Sequence, residues 1–135
     1  MSAVGEADAV GLDERLARFI FQRSHVHADG TPKPNSFIPD SRLELSVMRC
    51  QQLAEFELWK VGRAIGAVSS RTLHARSDVV TGVFVGQKLR VLAAPEADNV
   101  NHANVVDWPP DKPTQKSIAQ EIAAKAGKVV MAPMG

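Results

Sequence analysis

The chain reads as an α+β domain: a small antiparallel or mixed sheet with two main helices packed on one face. Three patterns predict it. Leu43-Glu44-Leu45-Ser46-Val47-Met48 alternates apolar and other side chains as a half-buried strand does. Ala54, Leu58, Val61 and Ile65 recur at spacings of four, three and four residues, the stripe of an amphipathic helix. Gln115, Ile118, Ala119, Ile122 and Ala126 make a second such stripe near the C-terminus. The order strand, strand, helix, hairpin, helix, strand belongs to the α+β class rather than to a regular βαβ repeat.

Each element has its own warrant. Met1 to Gly11 is small, acidic and aperiodic, so residues 1–11 read as a disordered leader and residues 12–135 as one domain. Leu12 to Gln22 mixes helical and alternating patterns; a short helical turn leading into a strand near Phe19 to Val26 is the expectation. Ala28 to Asn35 is a loop, because Asp29-Gly30 tolerates positive φ while Pro32 and Pro34 exclude helix and central strand. The alternating strand follows the Asp40-Ser41 turn. Gln51 to Ile65 is the clearest helix, with Gly66 as its stop. Val79 to Val85 is β-branched and apolar; Gly86-Gln87 then turns it into Leu89 to Leu92 as a β-hairpin. Asn99 to Pro113 is a polar loop. Pro113 suits the first turn of the last helix, with Asp111 or Lys112 just outside it, and Gly127 ends that helix before a short strand at Val129 to Met131.

Composition bounds the function. At 135 residues, 44% hydrophobic and 23% charged, the chain is an ordinary globular domain, and folding at this length hides roughly two-thirds of the chain's surface. Its single cysteine, Cys50, excludes an intrachain disulfide and favours a reducing, cytoplasmic setting. The N-terminus lacks the basic and apolar regions of a secretory signal, and no apolar run approaches the roughly 18 residues that span a bilayer. A net charge of +1 conceals four acids in residues 1–14, which leaves 16 basic and 11 acidic residues beyond them. Those bases are scattered, as on an ordinary solvated surface, and support an anionic ligand or nucleic acid only weakly. Gly-rich phosphate loops, GxGxxG, a Walker lysine, HExxH, paired CxxC and RNP aromatics are all missing, so no cofactor is expected.

Four histidines and a few arginines carry what chemistry there is. His25 and His27 flank Val26; on a strand both imidazoles would face one side and could chelate a metal with a third ligand from His74, His102 or an acid elsewhere, but two solvent-facing histidines and no metal are the favoured reading. Arg49 ends a strand, where it can grip an anion, though capping the next helix or pairing with an acid such as Glu55 is favoured. Ser46 lacks a Gly-x-Ser-x-Gly elbow, which argues against nucleophilic catalysis there. Cys50 reads as a structural thiol. Arg71 and Arg76 bracket His74, a pattern that can hold an anion beside an acid–base group. His102, between Asn101 and Asn104, is the matching histidine; His74 and His102 with an arginine would suffice for metal-independent cleavage of RNA. Trp108 before Pro109-Pro110 is either a buried anchor or a stacking platform, and the anchor is favoured.

Leu45-Ser46-Val47-x-Arg49, Thr72-Leu73-His74-x-Arg76 and His102-Ala103-Asn104 followed by Trp108-Pro109 together resemble the phrases of a family of short, uncharacterised bacterial proteins. The resemblance implies no activity and no residue role. The expected function is therefore that of a small bacterial binding module for a protein or an anionic ligand. Its rival is a small metal-independent enzyme acting on RNA or a nucleotide through His74 and His102, with Arg49, Arg71, Arg76, Asn101, Asn104 and Trp108 as ligand contacts. Oligomeric state is not legible, and whether the chain is an enzyme turns on whether those histidines converge.

Overall fold

Alternation along the strands decides how this fold is layered. The computed structural model describes residues 9–51 and 53–133. In chain order its elements are β1 (Arg15–Ile20), 3-10 turns at Arg23–His25 and Pro34–Phe37, β2 (Leu45–Arg49), α1 (Glu55–Val68), β3 (Ala75–Val80), α2 (Thr81–Val85), β4 (Arg90–Ala93), β5 (His102–Val106), α3 (Lys112–Ala126) and β6 (Val130–Met131). The six strands form one antiparallel sheet in the order β4-β5-β2-β1-β3-β6. The α+β class, the antiparallel sheet and the two main helices all follow the sequence reading.

Consecutive strand residues point to opposite faces. Leu16, Leu45, Val47, Val79 and Val105 pack with Ala119 and Ile122 of α3, and with Phe37, Phe84 and Trp108. Their strand neighbours Ala17 and Met48 pack instead with Cys50 and with Leu58 of α1. The two helices thus meet the sheet from opposite sides, where the sequence reading has them on one, because β1 and β2 are apolar on both faces. On that face α1 covers Ala17 of β1 and Met48 of β2, while Ser46 stays exposed. Ser46, His102 and Asn104 share that face with Met48 by register.

Local differences from the sequence reading have local causes. β1 begins and ends earlier than expected, and Arg23–His25 is a 3-10 turn rather than strand. Val79 to Val85 splits: the Thr81 N–H and hydroxyl both donate to the Glu14 carbonyl and the Gly82 N–H donates to Leu12, which turns the chain into α2. The expected hairpin of that segment does not form; β4 pairs with β5 at the opposite edge of the sheet. β5 itself lies inside the segment read as a polar loop. Helix α1 runs through Gly66 to Val68, and Ser70 at φ 56° makes the turn out of it, with the Arg71 N–H donating to the Gly66 carbonyl at 2.8 Å. Helix α3 starts as expected, with the Asp111 carboxylate accepting from the Thr114 N–H, and ends before Gly127 at φ 75°. Most of the expected leader, residues 1–8, lies outside the described residues; Val10 already packs against the core. Among the described residues no helix is long and apolar enough to cross a membrane.

Candidate functional site: a cationic groove beside α1

β1 and β2 pair over only two registered positions, Leu16 with Arg49 and Ala17 with Met48. Beyond them the strands part, and Arg18 spans the opening. Its Nε donates to the Ser36 carbonyl at 2.8 Å and its Nη1 to the Ser46 carbonyl at 2.9 Å. Beside it lies a groove of about 230 Å³ lined by Arg18, Phe19, Phe21, Ser46, Met48 and Ile65, together with Arg71, Asn99 and His102. Arg71 reaches it because the turn after α1 lays its guanidinium over the Phe21 ring, 4.2 Å from the centroid, while Nε donates to the Ser69 hydroxyl.

Two arginines and no carboxylate line this groove. Burial first, then the charge of Arg71, pushes the Arg18 pKa down to about 10; Asp40 acts the other way from beyond ion-pair distance. A partly buried cation with an exposed one beside it is a site where an anion relieves repulsion. A wider depression of about 840 Å³ lies at the start of β1, but its arginines are already compensated. There Arg49 donates to Glu14 at 2.5 and 2.9 Å, and Arg15 lies 3.6 Å from Asp78.

At the groove mouth His102 is fixed by both ring nitrogens. Nδ1 lies 2.9 Å from the Ala94 carbonyl and Nε2 lies 3.2 Å from the Ser46 hydroxyl. A carbonyl only accepts, so Nδ1 carries the proton and, in the neutral ring, Nε2 accepts from Ser46. The Glu96 carboxylate is 4.0 Å from Nδ1. This contact follows from register: Met48 faces His102 and Ser46 faces Asn104, so Ser46 and His102 are diagonal neighbours on one sheet face.

The structure separates the residues that the sequence groups. His102 aligns through Met48 and Ala17 with Asp78, and His74 lies four residues further along. At ~4.8 Å per strand and ~3.3 Å per residue, the two histidines stand about 20 Å apart, far beyond what a shared phosphate would need. Arg76 is not free for a ligand: it is buried, donates to Glu55 and Asp78, and lies 4.8 Å over the Trp59 ring. Arg49 pairs with Glu14 rather than Glu55, and Asn101 borders the wider depression, where its carbonyl accepts from the Arg49 N–H. Trp108 is an anchor in the core, its indole N–H donating to the Val105 carbonyl, so no base can stack on it. Asn104 sits on β5 between Ser46 and Leu92. His25 is half-buried in its 3-10 turn and His27 is exposed; among the described residues no three His, Cys, Asp or Glu side chains converge to hold a metal. Of the expected residues, His102 and Arg71 therefore line one groove. Nothing in the sequence singles out Arg18, Phe19 or Phe21, and the missing elbow argues against Ser46.

No protein-family model, curated protein or solved structure matches the chain.

Proposed function

We propose that the protein is a binding module for a small anionic ligand, a carboxylate or a phosphate, held in the groove beside α1. One observation carries this reading: Arg18 and Arg71 line the same groove, and among the described residues no carboxylate lies within ion-pair distance of either. Ser46, Asn99 and His102 add polar groups, and Phe19, Phe21, Met48 and Ile65 add apolar surface. A few convergent polar groups against an apolar wall is the usual make-up of a small-molecule site, and the volume falls below the ~300–1,000 Å³ of drug-sized ones. A protein partner is the weaker reading: Phe56, Val68 and Val100 are exposed, but nothing shows what would cover them. The buried, lone thiol of Cys50 is in keeping with a reducing, cytoplasmic setting.

Calorimetric titration with inorganic phosphate, succinate and benzoate at low salt tests the proposal. A charge-assisted hydrogen bond contributes about 1.5–3 kcal/mol, so Arg71→Gln is expected to weaken the best of the three about 10- to 100-fold. Equal affinity in Arg71→Gln, or no saturable binding of any of the three at millimolar concentration, refutes it.

A further inference from the structure

We propose that Ser46 and His102 form a nucleophile–base pair that hydrolyses esters carrying an anionic group. This rests on the groove as the binding site. Three features of the pair go beyond a cross-strand hydrogen bond. Its histidine is oriented by a third group, because the Nδ1 proton is committed to the Ala94 carbonyl at 2.9 Å, with the Glu96 carboxylate 4.0 Å away. That leaves the Nε2 lone pair for the Ser46 hydroxyl at 3.2 Å, the arrangement an activated nucleophile requires. The nucleophile is also accessible: Ser46 is exposed on the part of the sheet face that α1 leaves uncovered. Finally, Arg18 donates to the carbonyl of Ser46 itself, which puts a cation beside the reacting serine.

Arg71, stacked on Phe21, holds the substrate's anionic end, and Arg18, lining the same groove, lends positive charge to the ester oxygen as it becomes negative. In the first step the Ser46 Oγ bonds to the ester carbon and its proton passes to His102 Nε2. The tetrahedral adduct then breaks its bond to the leaving oxygen, which takes that proton and departs as the alcohol. Water next attacks the acyl-serine, giving a proton to His102. The released acid leaves, and Ser46 regains its proton from Nε2. Bonds, protons and charge balance with water as the only co-reactant.

The probes are mono(4-nitrophenyl) succinate, which is anionic, and neutral 4-nitrophenyl acetate, with succinate binding followed in parallel by calorimetry. The expected result is a succinyl adduct on Ser46 by mass spectrometry. Hydrolysis is expected to fall at least about 100-fold in Ser46→Ala and in His102→Gln, the scale of general-base assistance. Arg71→Gln is expected to lower the preference for the anionic ester about tenfold or more. Ser46→Cys, which keeps a nucleophile in place, recovers the adduct as a thioester, and circular dichroism verifies that each variant is folded. Succinate binding without acylation overturns this inference alone. Acylation of Ser46 without succinate binding overturns the groove reading and the anionic substrate class, and absence of both overturns everything proposed for the groove.

Discussion

Replacing Arg76 with methionine removes a buried cation while keeping most of its stem, and it separates a structural role for this residue from the ligand-binding role suggested by the sequence. In the folded protein the Arg76 side chain is 3% exposed. It donates to Glu55 at 2.6 and 3.2 Å and to Asp78 at 2.9 and 3.2 Å. Burial works against its charge, yet the hydrogen bonds to Glu55 and Asp78 more than offset this and raise its pKa. Breaking a fully buried ion pair costs about 3–5 kcal/mol. Here Glu55, with a side chain 59% exposed, rehydrates when released, and Asp78 keeps Arg15 at 3.6 Å. The expected loss is therefore about 2–3 kcal/mol, below the fully buried figure. For a chain of this size that is a fall in Tm of about 10 °C.

Urea denaturation at pH 7 measures the loss, with Glu55→Gln as companion at no more than about 1 kcal/mol. Acid adds a second signature. The hydrogen bond from Arg76 holds the Glu55 carboxyl below its ordinary 4.5, so its contribution is present above that pH and lost as pH falls through the lower folded value. Arg76→Met lacks that dependence. If Arg76→Met costs no more than Glu55→Gln, the network is not what braces α1 on the sheet. If it abolishes phosphate binding while remaining folded, Arg76 belongs to the site after all.

Three further outcomes are expected. A Cβ at Gly62 would lie 2.7 Å from Phe19 and 2.8 Å from Leu73, so Gly62→Ala loses about 1–2 kcal/mol despite its better helix propensity; thermal melting checks this, and a stabilised variant contradicts it. Burial first, with Asp78, pushes the Cys50 thiol up to about 11, so alkylation by iodoacetamide at pH 8 is expected to be far slower than in urea; equal rates in the two would show the thiol to be open. Burial first, then Arg18 and Lys33, lowers the His25 pKa. Its folded value lies below the unfolded 6.5, so its contribution is present above pH 6.5 and lost as pH falls below; His25→Gln is expected to lose less stability than wild type between pH 7 and 5 in paired melts.

How much of this was legible depends on whether the cause was local. β2 was readable because Leu45 and Val47 alternate with Ser46, and α3 because Asp111 and Gly127 mark its ends. β5 was missed although Ala103 and Val105 alternate with His102 and Asn104, since its outward positions are polar and Trp108-Pro109-Pro110 follows at once. Tertiary hydrogen bonds from Thr81 and Gly82 to the chain before β1 overrode the β propensity of Val79 to Val85. The groove was out of reach for the same reason. Ser46 and His102 stand 56 residues apart and Arg18 and Ser46 stand 28 apart, joined only by strand register. Arg49 found Glu14 rather than Glu55 through the β1–β2 pairing, which no spacing along the chain encodes.

The parting of β1 from β2 divides the sheet in its middle. β4, β5 and β2 lie on one side of the seam, β1, β3 and β6 on the other, and past Ala17 a guanidinium bridges them where a backbone ladder would otherwise run. Opening free energies within a native fold follow the density of such ladders and the packing around them. The centre of this sheet is thus a line that few backbone bonds cross, and a molecule lodged across it would add to what joins the two halves. Amide exchange along β2 would then slow on loading while the edges stayed as they were, making the strand pair at the heart of the sheet its most responsive part.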